Sequence, residues 1–454
     1  MKLSLIVNLV LSSISIFAYS IQKRDEERKN LYLVCQPYNY LCKLKQINKC
    51  RNEGIKYLKS YHPEKGNEIY KSCVEILTNN GQPQNYTLKT NIKTFGRSYY
   101  LDDNTLWFSL TNTGFEYKFW GTSTNITIAA DSGSCSTDNP ARVMIYKDNL
   151  YYDEILTKKK KNTIKINFDE SGEHVVRLLK ASESYQGSLR LQEIQTDSGI
   201  FEPTPELDKK IEFIGDSIVC GFGVDGKSAE SPFTTKTEDG TKAYPYKVAR
   251  KFNADFSMVS YSGYGIISGY TNDGTRIIDE RVSLYYDKVG RTKNYEFKDD
   301  NYNLKLNDIQ WDPNEFIPDL IVINLGTNDI SYINSITDDD LRNEAMELFI
   351  TEYAIFLQQI RSTHPYAQIL CTLGIMGNDL FPQIKEAVKR YVAETNDKNV
   401  NTFEFKRQDT VKNGAGAQWH PSALSHIDAA NELIDEIERI YKWTPDPNVD
   451  ITNQ

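Results

Sequence analysis

The period of apolar and polar positions changes along this chain. From about residue 86 to 198 it runs as short alternations: "TLWFSL", "YKFWG", "NITIAA", "RVMIYKD", "NTIKINF", "EHVVRLLK" and "SLRLQEI", separated by Gly, Asn, Asp and Ser. Side chains along a strand point alternately to opposite faces, so each run predicts a half-buried strand. Many short strands between regular turns predict a β-sandwich over 86–198. The stretch "DSGIFEPTPELDKK" then predicts a linker, about 199–209. Beyond it the apolar runs become nearly continuous: "IEFIG" (211–215), "FSMVS" (256–260), "LIVINL" (320–325), "QILCTL" (368–373) and "NVNTFEF" (399–405). Helical spacing between and after them predicts helices at about 243–253, 338–362, 382–396 and 421–441. Apolar strands alternating with helices predict an α/β domain over 210–443, its parallel sheet covered on both faces, with a short tail at 444–454. No internal repeat is visible.

The N-terminal fifth follows neither pattern. Met1-Lys2 precedes "LSLIVNLVLSSISIFAYS", a short apolar core ending in small residues, which reads as a secretory signal over 1–20 and implies a secreted, extracellular protein. A signal anchor is the alternative. Residues 25–82 are Lys- and Asn-rich, with helical spacing around Cys35, Cys42, Cys50 and Cys73. In an oxidising compartment four cysteines predict two disulfides, with three connectivities open, and so small a module needs them to stay folded. Cys135, Cys220 and Cys371 are isolated, and the odd total of seven leaves at least one thiol free. Asn85-Tyr86-Thr87 and Asn125-Ile126-Thr127 are acceptor sequons for glycosylation.

Charge narrows the function classes. A formal net charge of −9 argues against a nucleic-acid partner. The basic run Lys158–Lys161 reads as a solvated hairpin loop. No internal apolar run reaches membrane-spanning length, so no membrane partner is expected.

Candidate chemistry collects where each parallel strand ends. In open α/β sheets reactive groups lie just beyond the carboxyl ends of the strands. "FIGDSIVCGFG" (213–223) puts Ser217 beyond the first strand, "SYSGYG" puts Gly263 beyond the second, and "LGTND" puts Asn328 beyond the third. After the last strand, "AQWHPS" brings His420 to the same edge, with Pro421 opening the closing helix. Serine attack on an acyl carbon generates an oxyanion that needs donors already in place. The backbone N–H groups of Ser217 and Gly263 and the side-chain amide of Asn328 supply three, and Gly263 has no Cβ to block close approach. His420 takes the serine proton and returns it to the leaving group. His174 in a strand, His364 in a "THP" turn and His426 in the last helix read as structural.

These four blocks resemble those of the SGNH (GDSL-type) hydrolases. "YKFWGTSTNITIAA", "GEHVVRLLKASES", "PDLIVINLGTND", "LGIMGNDLFPQI" and "WHPSALSH" are similar to carbohydrate esterase family two in particular, over about 86–443. The resemblance implies a flavodoxin-like SGNH domain preceded by a jelly-roll β-sandwich. It also implies an acetyl esterase acting on plant cell-wall polysaccharide such as acetyl xylan or glucomannan, with no metal and no cofactor. In SGNH enzymes an aspartate usually stands three residues before the histidine; here that position is Ala417. Family two members resemble this chain in using a Ser–His pair with a main-chain carbonyl orienting the imidazole. The carbonyl of Trp419 or a neighbour is the expected acceptor, with Asp409 and Asp428 as the carboxylates to test.

Two other functions fit parts of the pattern. An SGNH lipase or thioesterase calls for an apolar acyl tunnel, whereas residues 264–310 are rich in Tyr, Asn, Asp and Lys. A carbohydrate-binding protein without turnover has no need of both Ser217 and His420. The module at 25–82 is either a stabilising appendage or a docking element for a protein or cell-surface partner.

Overall fold

The computed structural model describes residues 87–292 and 304–452. The expected signal, the cysteine-rich module with Cys35, Cys42, Cys50 and Cys73, and the sequon residue Asn85 lie outside the described residues.

The first described domain contains β1 (Lys93–Phe95), β2 (Ser98–Asp102), β3 (Thr105–Phe108), β4 (Thr113–Ala130), β5 (Arg142–Lys147), β6 (Leu150–Leu156), β7 (Lys161–Lys180) and β8 (Leu189–Thr196). They form one antiparallel hydrogen-bonded sheet in the order β2-β3-β8-β4-β7-β5-β6, with β1 also paired to β4. The separate runs "YKFWG" and "NITIAA" are thus one strand, as are "NTIKINF" and "EHVVRLLK". Their pairing shifts register between Gly121 and Ser123, and there β4 bends sharply. Tyr117 Oη and Thr124 Oγ1 lie 2.7 Å apart although they are seven positions apart in sequence, a contact no straight strand allows. Residues on both sides of the bend, Phe115 and Tyr117 before it and Ile126 and Ile128 after it, pack into one core with Ile166, Val176 and Leu191. Asn125 sits half-buried in β4, opposite Lys165 on one side and Gln195 on the other.

The second domain contains β9 (Lys209–Gly215), β10 (Ala254–Ser260), β11 (Leu320–Asn324), β12 (Gln368–Ile375) and β13 (Val400–Arg407). All pair in parallel in the order β10-β9-β11-β12-β13. Period-two alternation divides the strands between two cores. Ile321 and Ile323 pack with Phe349, Tyr353 and Ile384, from helices Asp339–Thr363 and Phe381–Thr395. Leu320 and Val322 pack with Val248, Leu433 and Ile437, from helices Tyr244–Lys251 and Ala423–Tyr441. Both faces are covered, and the central strand β11 is accordingly buried at all five positions.

Residues 444–452 do not trail from the domain. Lys247 Nζ donates to the carbonyl of Ile451 and Lys251 Nζ to that of Val449, each at 2.8 Å, and Ile451 is buried. A helix not expected from the sequence, Thr327–Ser335, starts directly at the "GTND" turn.

The two domains share one interface. The Arg97 guanidinium pairs with Glu212 of β9 at 3.2 Å, both fully buried, and Tyr286 Oη donates to the same carboxylate at 2.8 Å. Gly240 donates its N–H to Ala181, closing a backbone bond between the domains. Within the Tyr-, Asn-, Asp- and Lys-rich stretch 264–310, Val289, Leu306 and Ile309 bury against Trp107 of β3.

Candidate active site

The strand β9 ends at Gly215, where an added Cβ would meet Val219 at 2.3 Å, so the chain turns tightly there. Asp216 caps the one-turn helix Ser217–Cys220, accepting the N–H of Ile218 at 3.0 Å. Burial pushes the Asp216 carboxyl up to about 7, against the Ile218 N–H, which favours the charged form. Ser217 is thereby held at the carboxyl edge of the sheet, and its Oγ lies 2.9 Å from His420 Nε2.

His420 is carried by a loop closed on itself. Gly416 donates to the carbonyl of His420 at 2.8 Å, and Ala417 donates to that of Gly223 at 2.8 Å. Between them Gln418 (φ 51°) and Trp419 (φ 63°) both adopt left-handed backbone, a conformation disfavoured for residues with a Cβ. That reversal turns the carbonyl of Gln418 toward the ring, 3.1 Å from His420 Nδ1. The acceptor is therefore Gln418 and not Trp419, whose carbonyl accepts from Gln408 Nε2 at 2.9 Å. Two consecutive left-handed residues explain the shift by one position: an extended Trp419 would present a different oxygen.

Neither candidate aspartate reaches the ring. Asp409 caps a short helix through the N–H groups of Val411 and Lys412, and Asp428 binds Lys412 and Asn413. Ala417, where an aspartate is usual, is fully buried against Gly223 and Gly226. Phe222 packs on the imidazole, ring centroids 4.3 Å apart, and is itself stacked on Phe233. Burial lowers the His420 pKa to about 4, although the backbone carbonyls of Gln418 and Ala417 favour the charged form. The ring is neutral at physiological pH, as a general base must be.

Two further loops carry Gly263 and Asn328. Gly263 has φ +82°, left-handed backbone natural to glycine, and a Cβ there would meet nothing within 4 Å. Asn328 is buried, and its amide nitrogen donates to the Tyr264 carbonyl at 2.8 Å and leans on Asp216 at 3.3 Å. Asn328 thus ties the Gly263 loop to the Ser217 turn. Asp329, next in sequence, accepts the N–H groups of Ile266, Ile267 and Ser268. Gln418, Phe222 and Asp329 were not singled out from the sequence. Asp329 was findable inside the "GTND" motif; the other two depend on loop conformation.

His426 and His364 lie elsewhere: His426 Nδ1 accepts the N–H of Tyr244 at 3.2 Å, and His364 is buried 4.0 Å from Glu212. His174 Nδ1 lies 3.0 Å from Asp148 on the other domain. Among the described cysteines, Cys135, Cys220 and Cys371 are free thiols.

Comparison with known proteins matches this arrangement domain by domain. The sequence model of the GDSL-like lipase/acylhydrolases matches residues 211–433, and that of the carbohydrate esterase 2 N-terminal domain matches residues 94–205. An acetylxylan esterase/glucomannan deacetylase of Cellvibrio japonicus is 30% identical over 276 residues, covering 59% of this chain and 70% of that protein. The chain belongs to carbohydrate esterase family two. Cellulase/esterase CelE of Acetivibrio thermocellus is 29% identical over 355 residues, 77% of this chain; the chain spans 39% of that relative's length. The structure of a family two carbohydrate esterase from Clostridium thermocellum in complex with cellohexaose superposes with a TM-score of 0.63 at 27% identity, over 78% of this chain and all of the other. In the esterase described here, the two matched regions correspond to the antiparallel domain and the parallel-sheet domain. Ser217, Asn328 and His420 all fall within the second.

Proposed function

We propose that this family two esterase is secreted and removes acetyl groups from plant cell-wall polysaccharide, acetyl xylan or glucomannan, through Ser217 and His420. The observation that carries the reading is the continuous line Ser217 Oγ, His420 Nε2, His420 Nδ1 and Gln418 O, at 2.9 and 3.1 Å. In it the Gln418 carbonyl accepts the Nδ1–H, which leaves Nε2 unprotonated and facing the serine. As Ser217 Oγ attacks the acetyl carbon, Nε2 takes its proton and the carbonyl oxygen becomes an oxyanion. The N–H groups of Ser217 and Gly263 face that oxygen, and Asn328 joins them by releasing Asp216. Collapse expels the sugar alkoxide, which receives the proton from His420. A water activated by the same nitrogen then cleaves the acetyl-serine, releasing acetate and restoring the hydroxyl.

Substrate class rests on three supports. Trp419, next to His420 in sequence, is 61% exposed, an apolar plate of the kind on which a sugar ring packs. The relatives are named as acetylxylan esterases and glucomannan deacetylases, and one related structure holds cellohexaose. Secretion rests on the leader-like residues 1–20 alone. The test is acetate release from acetylated xylan, acetylated glucomannan and a triglyceride, side by side with a metal chelator present. Release from the triglyceride alone contradicts the proposal.

A further inference from the structure

The backbone of residues 261–268, which carries Gly263, has one donor to spare. Tyr261 donates to Gly215, Tyr264 to Tyr261, Gly265 to Glu280, and Ile266, Ile267 and Ser268 to Asp329. Ser262 donates at 2.9 Å to Glu183 Oε2. Among the described hydrogen bonds of this run only the N–H of Gly263 has no acceptor. Every other peptide is pinned, so the free donor is the one the reaction uses.

Seven of these eight positions are thus held, and the clamp beside Gly263 does not belong to the parallel-sheet domain. Glu183 follows β7 of the antiparallel domain and is 2% exposed. Its own N–H donates to Glu238 Oε2 at 3.1 Å, and its carbonyl accepts from the buried ammonium of Lys180 at 2.6 Å. The adjoining Ala181 carbonyl receives the N–H of Gly240. Main chain and side chain of Glu183 are therefore both fixed: its carbonyl by Lys180 of its own domain, its N–H by Glu238 and its side chain by Ser262, both of the parallel-sheet domain.

We propose that Glu183 is a positioning residue for deacetylation: through Ser262 it fixes the peptide preceding Gly263, so the antiparallel domain completes the oxyanion site of its neighbour. The antiparallel domain then has a role in the chemical step besides any in binding polymer. This inference rests on the reading of Ser217 and Gly263 given above.

The geometry separates acceptor position from charge. Glu183→Gln keeps an acceptor oxygen at the same reach and loses the charge. Glu183→Asp keeps the charge and withdraws the oxygen by one methylene from Ser262. Glu238→Gln alters the same buried cluster without touching the loop. Each would be assayed in the full chain for kcat and KM on a soluble acetyl ester, with thermal midpoints measured in parallel. Glu183→Asp is expected to lower kcat by about 10–100-fold with KM within about threefold, approaching the loss of an oxyanion donor. Glu183→Gln is expected to stay within about threefold of the parent in kcat. Glu238→Gln is expected to lower the midpoint without a comparable loss of kcat. If Glu183→Asp keeps the parent kcat, or if all three lose kcat in proportion to their midpoints, the positioning role is wrong. Ser217→Ala in the same series separates the two readings. Full loss there with no effect of Glu183→Asp removes only the positioning role, whereas retained activity there removes the serine mechanism itself.

Discussion

Gln418 presents its carbonyl oxygen to His420 Nδ1 at 3.1 Å, in the place where a hydrolase with a Ser-His-Asp triad presents a carboxylate. A carbonyl selects the tautomer as well as an aspartate does, because it accepts the same N–H. It carries no charge, however, so it stabilises the imidazolium less. Three expectations follow from that difference.

Loss of the two nearby aspartates is expected to leave catalysis standing. Asp409→Asn and Asp428→Asn should each keep kcat/KM within about tenfold of the parent, whereas loss of a true triad aspartate costs on the order of ten-thousandfold. His420→Ala should be nearly inactive. Steady-state kinetics on a soluble acetyl ester check all three, and a collapse in either aspartate variant would show that a carboxylate takes part in the working enzyme.

Restoring an aspartate at position 417 is expected to harm the protein. Ala417 is fully buried, donates its N–H to Gly223 and packs on Gly226. A carboxylate there would be buried hard against the Gly223 and Gly226 backbone, at a cost on the order of 3 kcal/mol, the scale for an uncompensated buried charge. Ala417→Asp should show a lower thermal midpoint and no gain in kcat. A gain would mean that this loop accepts the triad geometry after all.

The acid limb of the pH profile should lie unusually low. Below its pKa the imidazolium cannot accept the Ser217 proton, so activity falls as pH falls. With the His420 pKa lowered to about 4 by burial and no carboxylate to raise it, kcat/KM should hold well below the ~6.5 of a free histidine. The check is kcat/KM against pH, over a range where circular dichroism shows the fold intact. A limb near 6.5 would contradict the lowered pKa of His420.

Most of the catalytic edge was legible because each strand end is marked by residues whose chemistry is local. Gly215-Asp216-Ser217, Gly263 and Gly326-Thr327-Asn328 lie in turns that immediately follow apolar runs. The antiparallel domain was less legible. Turn residues at Gly121 and near Gly172 read as loops between strands, but they lie where two long strands bend within one continuous sheet. The helix Thr327–Ser335 was hidden because the same "GTND" residues serve both as a turn and as its first turn. The expected acceptor, the carbonyl of Trp419 or a neighbour, is the neighbour Gln418, a choice that no residue type in "AQWHP" announces because it depends on two left-handed residues. Glu183 was quoted within "GEHVVRLLKASES", yet its contact with Ser262 crosses a domain boundary that no local pattern reports.

Ser217, activated by His420, is expected to perform the acyl transfer on acetylated polysaccharide. The most direct measurement compares acetate release from acetylated xylan and glucomannan by the parent and by Ser217→Ala, both purified and shown to be folded. The account predicts release by the parent with chelator present and a loss of at least about a thousandfold in the variant. Comparable release by Ser217→Ala, or none by the folded parent from either polymer, would contradict it.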